Sequence, residues 1–446
     1  MPFSYLPPFL SASFAALSSV LDKRSAPRLK LLFVGALFAK GRRTVTSWFR
    51  AAGIGADFRP AYNALFAAGR RSCSIARWLL ALVLKPLFRL VAGDRLLFAI
   101  DDTPSKRYGP CIQGAGIHHN PTPGPAGEKH FYGHLWVTLA WLAFHPLCGV
   151  LALPLLAFLY VRKKDVPALN KEYPWTFKTK LELAVELVEL LLPWVQSLGK
   201  AIWLVVDGAY AKAPFLRPCR QKGVVVVSRL RKDAHLMDLP QPKKPGQRGP
   251  QPIYGKKRIS LAKRAGQRGG WQSVECVQYG KKKVSKTIKT FLATYKPAGG
   301  EIRVVLVEED DGWIPYFCTD STASVASILE AMAARTAIEQ TFHDVKEVWG
   351  AEQQQVRNVY ACIGAFNLNL WMYSLVEVWA WGRSEEELVD RSRSPWDSEP
   401  RRPSHADRRK TLQRLVLQAE IDAVLGGPLT KREFRALANR LLDLAA

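Results

Sequence analysis

Arg335, Glu339 and Lys346 are spaced four and seven residues apart. At about 100° per residue a helix would carry all three on one stripe, an acid framed by two bases. Upstream, two apolar runs each end abruptly in a carboxylate: residues 96–100 precede Asp101-Asp102-Thr103, and residues 202–206 precede Asp207-Gly208. Mg²⁺ takes oxygen ligands and keeps several waters, so a few carboxylates gathered by the fold suffice to hold it. Two such ions about 3.5–4 Å apart can activate a water or 3′-hydroxyl and stabilise the leaving oxygen of a phosphodiester. Asp102, Asp207 and Glu339 are the expected ligand set. Side chains alternate along a strand, so only one of Asp101 and Asp102 faces the site; Asp102 is preferred and Asp101 stays open. Taken singly, a strand-end Asp is more often a turn former, and a charged helix stripe is often a solvated face of i,i+4 pairs. The case rests on the combination.

The elements that must position these groups are readable from periodicity. Residues 1–95 hold apolar, Ala- and Leu-rich blocks separated by short breaks, which predicts a helical N-terminal domain. Within it, residues 42–54 combine basic residues, a cap at Thr44 and a turn at Gly53, the pattern of a DNA-reading helix-turn-helix and of many plain helical hairpins. Residues 96–232 read as three strands, a helix over 177–198, a strand at 202–206, a short helix at 213–222 and a strand after Gly223. That order predicts a mixed α/β sheet flanked by helices, with the ribonuclease H-like topology in which acids cluster at one sheet end. Residues 233–320 lose helical periodicity and read as a β-rich insertion. Residues 321–382 return to helix, with breaks expected at Gly350 and Gly364, and 383–446 read as a polar linker and a helical tail.

The chain has 446 residues, with 64 Lys and Arg against 38 Asp and Glu for a net charge of +26, which favours a polyanionic partner. Seven scattered cysteines without a Cys-x-x-Cys pair suggest reduced thiols in a cytoplasm. The first residues lack a basic n-region, so a signal peptide is not expected. Residues 134–161 are nearly uncharged, yet Pro146 and Pro154 interrupt them, and a buried hairpin is expected rather than a membrane span.

Residues 243–296 carry fifteen Lys and Arg against a single acid, Glu275. Lys256, Lys257 and Arg258 form one cluster and Lys281, Lys282 and Lys283 another, as contacts to a nucleic-acid backbone would require. Trp271, Tyr279 and Trp313 lie in or beside this stretch, where simple packing is the commoner role of an aromatic and stacking on an extruded base the alternative. Residues 104–134 gather His118, His119, His130 and His134, but at no recognised zinc spacing, so a basic loop touching DNA is the preferred reading.

Together these blocks resemble the DDE transposases of bacterial insertion sequences, in the DDE superfamily endonuclease branch. That family's signature is Tyr, two residues, Arg, three residues, Glu, six residues, Lys. Here Met332, Arg335, Glu339 and Lys346 stand at that spacing, with Met in place of the Tyr. Asp102-Thr103 and Asp207-Gly208-Ala209-Tyr210 look like the first and second acid blocks, and the likeness spans roughly residues 96–373. The resemblance implies Asp102, Asp207 and Glu339 as ligands of two Mg²⁺ ions, with Mn²⁺ as a substitute, and Arg335 and Lys346 as contacts to DNA phosphates. It also implies terminal inverted repeats and target DNA as substrates, and a homodimer on the paired ends. A nuclease of the same fold without strand transfer, and a catalytically silent DNA-binding relative, are the alternatives.

Overall fold

The computed structural model describes residues 5–88, 95–120, 127–243, 248–279, 282–389, 396, 401–425 and a few positions between 434 and 438. The N-terminal segment is helical: α1 (Pro8–Ser18), α2 (Ala26–Phe38), α3 (Val45–Ala51), α4 (Arg59–Arg70) and α5 (Ser72–Leu87). Thr44 caps α3 through its side chain, which accepts from Ser47 N. Trp48 and Phe49 turn inward, while Thr46 and Arg50 face solvent. The strands β1 (Arg95–Lys106), β2 (Gly116–His119), β3 (His130–His145) and β4 (Gly149–Tyr160) follow. Then come α6 (Val166–Leu169), α7 (Lys180–Val195), β5 (Ala201–Val206), α8 (Ala213–Gln221) and β6 (Val225–Arg229).

Strand order β4-β3-β1-β5-β6, antiparallel across β4, β3 and β1 and parallel across β1, β5 and β6, is the ribonuclease H-like sheet. Residues 233–320 do not stand apart from it. They supply β7 (Leu236–Met237), β8 (Arg258–Ile259), α9 (Leu261–Gly266), β9 (Gln272–Gln278), β10 (Lys282–Tyr295), β11 (Gly300–Glu309) and β12 (Gly312–Cys318). β12 pairs with β6, so the sheet continues through β11 and β10 without a break. The chain then runs through α10 (Val325–Ala334), α11 (Thr336–Trp349), α12 (Val359–Ala380), α13 (Glu385–Leu388) and α14 (His405–Leu425).

Period-2 alternation gives the sheet two apolar faces. Leu97, Ala99, Trp203 and Val205 pack with Ile328, Ala334, Ile338 and Phe342 of α10 and α11. Phe98, Ile100, Leu204 and Val206 belong to the larger core that contains α7, α8, α12 and the N-terminal helices. The N-terminal helices thus share the core of the sheet rather than closing one of their own.

Gly364 does not interrupt α12. A side chain there would collide with the Leu65 carbonyl, and one at Gly69 with the Tyr360 carbonyl, so the two glycines let α4 and α12 cross at backbone contact. The polar residues of α12 have an equally specific task. Asn367 accepts from Ala157 N at 2.8 Å and donates to Ala157 O at 3.0 Å, Trp371 donates to Leu155 O and Ser374 to Pro154 O. They satisfy the open edge of β4, which would otherwise present unpaired backbone groups. Val359–Ala380 is long and apolar enough to cross a bilayer, but 94% of its most apolar stretch is buried inside the fold. Residues 134–161 form the β3–β4 hairpin, as expected.

Candidate active site

β1 and β5 run parallel with Leu97 beside Trp203, Ala99 beside Val205 and Ile100 beside Val206. Continuing that register by one residue sets Asp101 opposite Asp207, both on the face covered by α10 and α11. α11 is amphipathic: Ile338, Phe342, Val345 and Trp349 are buried, and Gly350 ends it in the left-handed conformation at φ 70°. Its buried stripe seats Glu339 in the first turn, over the same strand ends. Arg335 occupies the junction between α10 and α11.

Arg335 joins the three carboxylates. Its Nη2 donates to Asp101 Oδ2 at 3.0 Å and lies 3.9 Å from Asp207 Oδ1, and its Nη1 donates to Glu339 Oε1 at 2.7 Å. The Arg335 and Asp101 side chains are only 15% and 14% exposed, whereas Asp207 and Glu339 are 50% and 57% exposed. The cluster is therefore anchored in the sheet and open to solvent at its outer rim. Burial raises the Asp101 carboxyl to about 7, with Arg335 acting against that rise. Arg335, against its own burial, is held above the ordinary arginine value by Asp101, Glu339 and Asp207.

Asp102 points to the opposite face. Lys180 Nζ of α7 donates to its Oδ2 at 2.9 Å and the Tyr210 hydroxyl to its Oδ1 at 3.2 Å. Tyr210 lies three residues beyond Asp207, so this bond ties the β1 end to the turn that carries the second acid. The β1 residue grouped with Asp207 and Glu339 is thus Asp101, and not the Asp102 preferred from the sequence, because alternation along β1 turns Asp102 away from α11. A readable signal existed: an apolar run ends at Asp101 and another at Asp207, and setting the two run ends side by side in parallel strands pairs those residues.

Lys346 of α11 pairs with Glu352 at 2.7 Å. Lys256, Lys257, Arg258, Lys282 and Lys283 are exposed on the sheet extension; Lys281 lies outside the described residues. Lys286 and Lys289 of the same stretch are committed elsewhere, Lys286 to Glu309 at 3.0 Å and the buried Lys289 to the Arg264 and Gln267 carbonyls. Trp271 and Trp313 lie under the ammonium groups of Lys289 and Lys232. Tyr279 is exposed, has a left-handed backbone at φ 53°, and borders a cavity of about 550 Å³ whose wall includes Glu339, His343 and Arg402.

The four histidines of the early loop and β3 do not form a site. His134 is buried, receives Arg107 Nε at Nδ1 and contacts Gln113 O through Nε2; burial and then Arg107 push it down to about 3, so it is neutral. His118 stacks on Phe131, and His119 meets His130 edge-on. Among the described residues no three His, Cys, Asp or Glu side chains come close enough to hold a metal ion together. The carboxylates of Asp101, Asp207 and Glu339 instead converge on one guanidinium. Their chemistry nevertheless fits a hard divalent ion: three oxygen donors around a place already occupied by positive charge, with solvent access for the waters Mg²⁺ retains.

Comparison with curated proteins gives no match. The family described as DDE superfamily endonuclease matches residues 16–289, a span that includes both strand-end aspartates and stops before α11. With its ribonuclease H-like sheet and its acids gathered at one sheet end, the chain belongs to the DDE superfamily endonucleases.

Proposed function

We propose that the protein is the transposase of an insertion sequence, cutting DNA at the ends of its own element and joining the 3′-hydroxyls to target DNA by metal-dependent transesterification. The observation that carries this reading is the parallel register that brings Asp101 beside Asp207, with Glu339 linked to both through Arg335. Asp101, Asp207 and Glu339 would hold the divalent ions, Mg²⁺ by donor chemistry with Mn²⁺ as substitute. Those ions would supply activation of the attacking oxygen and stabilisation of the leaving one.

The protein's own groups do the rest. Arg335 carries a permanent charge on a planar fork that matches a phosphate, so it offsets the mutual repulsion of the carboxylates and can then turn to the DNA backbone. Asp102, held by Lys180 and Tyr210, positions the β1 end. Lys256, Lys257, Arg258, Lys281, Lys282 and Lys283 supply sequence-independent backbone contacts, and Lys346 adds one where it leaves Glu352. Tyr279, exposed on the cavity wall beside Glu339, is placed to stack on a base extruded at the cut. Two ends processed together call for a homodimer, acting in the cytoplasm.

The test is incubation of the protein with Mg²⁺ and duplexes carrying the inverted repeats that flank its gene. Nicks accompanied by joined products are expected. Nicks without joining would reduce the activity to that of a nuclease, and binding alone would make the chain a silent relative. Undiminished cleavage by Glu339→Ala would overturn the site.

A further inference from the structure

The N-terminal helices enclose a groove that the reading above does not use. Its volume is about 950 Å³, and it runs between the α1–α2 connection and the start and end of α4. Four arginines line it: Arg24, Arg28, Arg70 and Arg71. Among the described residues none of the four pairs with a carboxylate side chain. The one acid in the lining, Asp22, accepts at Oδ1 from the backbone N–H groups of Arg24 and Ser25, each at 3.0 Å, and so shapes the turn while offsetting one of the four positive charges. Arg28 Nη1 donates to the Arg24 carbonyl, and four guanidinium groups against one carboxylate leave the wall with a net positive charge that favours an anion.

The groove adjoins the start of α7, on the face of the sheet to which Asp102 points. Arg70, whose guanidinium lies over the rings of Phe66 and Tyr360, also lines the neighbouring cavity of about 490 Å³, and Lys178 lines that cavity too. Two residues further on, Lys180 of α7 contacts Asp102 at the end of β1. Lys178 is paired with Glu186 of the same cavity at 2.6 Å, so the free positive charge is confined to the groove itself, beside the start of α7.

We propose that this groove binds the phosphate backbone of duplex DNA flanking the bond cut at the carboxylate site, with Arg24, Arg28, Arg70 and Arg71 as the contacting residues. The proposal rests on DNA being the substrate and names a surface distinct from α3 and from the basic sheet extension. Guanidinium forks suit phosphate oxygens, and such backbone contacts carry no sequence information directly.

The experiment measures binding of a fluorescent random-sequence duplex by the full-length protein across a salt series, in Ca²⁺ to prevent cutting. The triple variant Arg24→Glu/Arg70→Glu/Arg71→Glu should bind at least tenfold more weakly at a fixed salt concentration. The slope of log affinity against log salt should become shallower by about 2 to 3, at ~0.9 for each phosphate no longer neutralised. Arg24→Gln/Arg71→Gln, which spares the Arg70 ring contacts, should shift the slope by about 1 to 2 on the same scale, with an unchanged thermal midpoint showing that the fold is intact. Unchanged affinity and slope in both variants would overturn the groove. Nicking assays on the wild type are scored separately: a wild type that binds through the groove without cutting would sink the catalytic reading and leave this one standing.

Discussion

The carboxylate–arginine clusters around Glu377 and around Arg335 differ in one respect that decides their use. Around Glu377 the groups are shut away from solvent, although its Oε2 has no hydrogen-bond partner among the described residues. His405 Nδ1 donates to Glu377 Oε1 at 2.6 Å, Trp349 donates to His405 Nε2 at 2.7 Å, and Arg408 approaches the same carboxylate at 3.4 Å. Glu377 and His405 are each 1% exposed, and the His405 ring stacks on Tyr373. This node fastens α14 to α11 and α12, with both charges paired inside the protein. Around Arg335 the inner half is mostly buried, at 15% and 14% exposure, but Asp207 and Glu339 reach solvent with coordination capacity to spare. A cluster closed to solvent on every side is architecture, and one open at its rim can take a ligand.

Substitutions in each cluster would break or sharpen that contrast. The largest effect belongs to the open one. Glu339→Gln should lower DNA cleavage by about 10⁴-fold, roughly 5 kcal/mol of barrier, while leaving the unfolding free energy nearly unchanged. A stability loss matching the activity loss would erase the distinction. Asp101→Asn should likewise abolish cleavage, whereas abolition by Asp102→Asn alone would move the ligand to the other face of β1.

Asp101→Asn should also show an opposite-signed stability effect in protein stripped of divalent ions. Burial lifts the folded-state carboxyl from 3.8 to about 7, so the folded state holds its proton more tightly than the unfolded chain. The stability contribution is complete below the unfolded value and is lost as pH rises through about 7. The variant should therefore match the wild type near pH 4 and exceed it by as much as ~4 kcal/mol at pH 8, read from denaturant unfolding at each pH.

Glu377→Ala should cost about 3 kcal/mol of stability by stranding Arg408 among buried groups, with cleavage per folded molecule preserved. Cleavage falling further than the folded fraction would make the closed node part of the catalytic machinery. Tyr210→Phe should give the smallest change, about 1 kcal/mol of stability from removal of the hydrogen bond to Asp102. Its informative readout is Mn²⁺ affinity: a weakening identifies the bond as a spacer between the two strand ends, and no change confines it to the core.

Much of the fold was legible because it is local. The apolar runs at residues 96–100 and 202–206, the period of residues 177–198 and the cap at Thr44 all appear where hydrophobic periodicity and side-chain capping put them. Gly364 was misleading because its cost within a helix is offset by a contact with α4, which no local pattern reveals. Residues 401–409 read as polar linker from composition, yet Arg408 and Arg409 are buried, and Arg409 donates to the carbonyls of Leu37 and Ala39 at the end of α2. Composition cannot find such a partner, since Leu37 lies 372 residues away in the chain.

The acids and their spacing are properties of the sequence alone. Residue type sets the donor chemistry, and periodicity sets which residues share a stripe of a helix or a side of a strand. Which of Asp101 and Asp102 joins Asp207 was decided by the tertiary structure, because a one-residue change of strand register exchanges the two faces of β1. The same holds for Arg335, whose place among three carboxylates from two strands and a helix exists only once α11 is packed on the sheet.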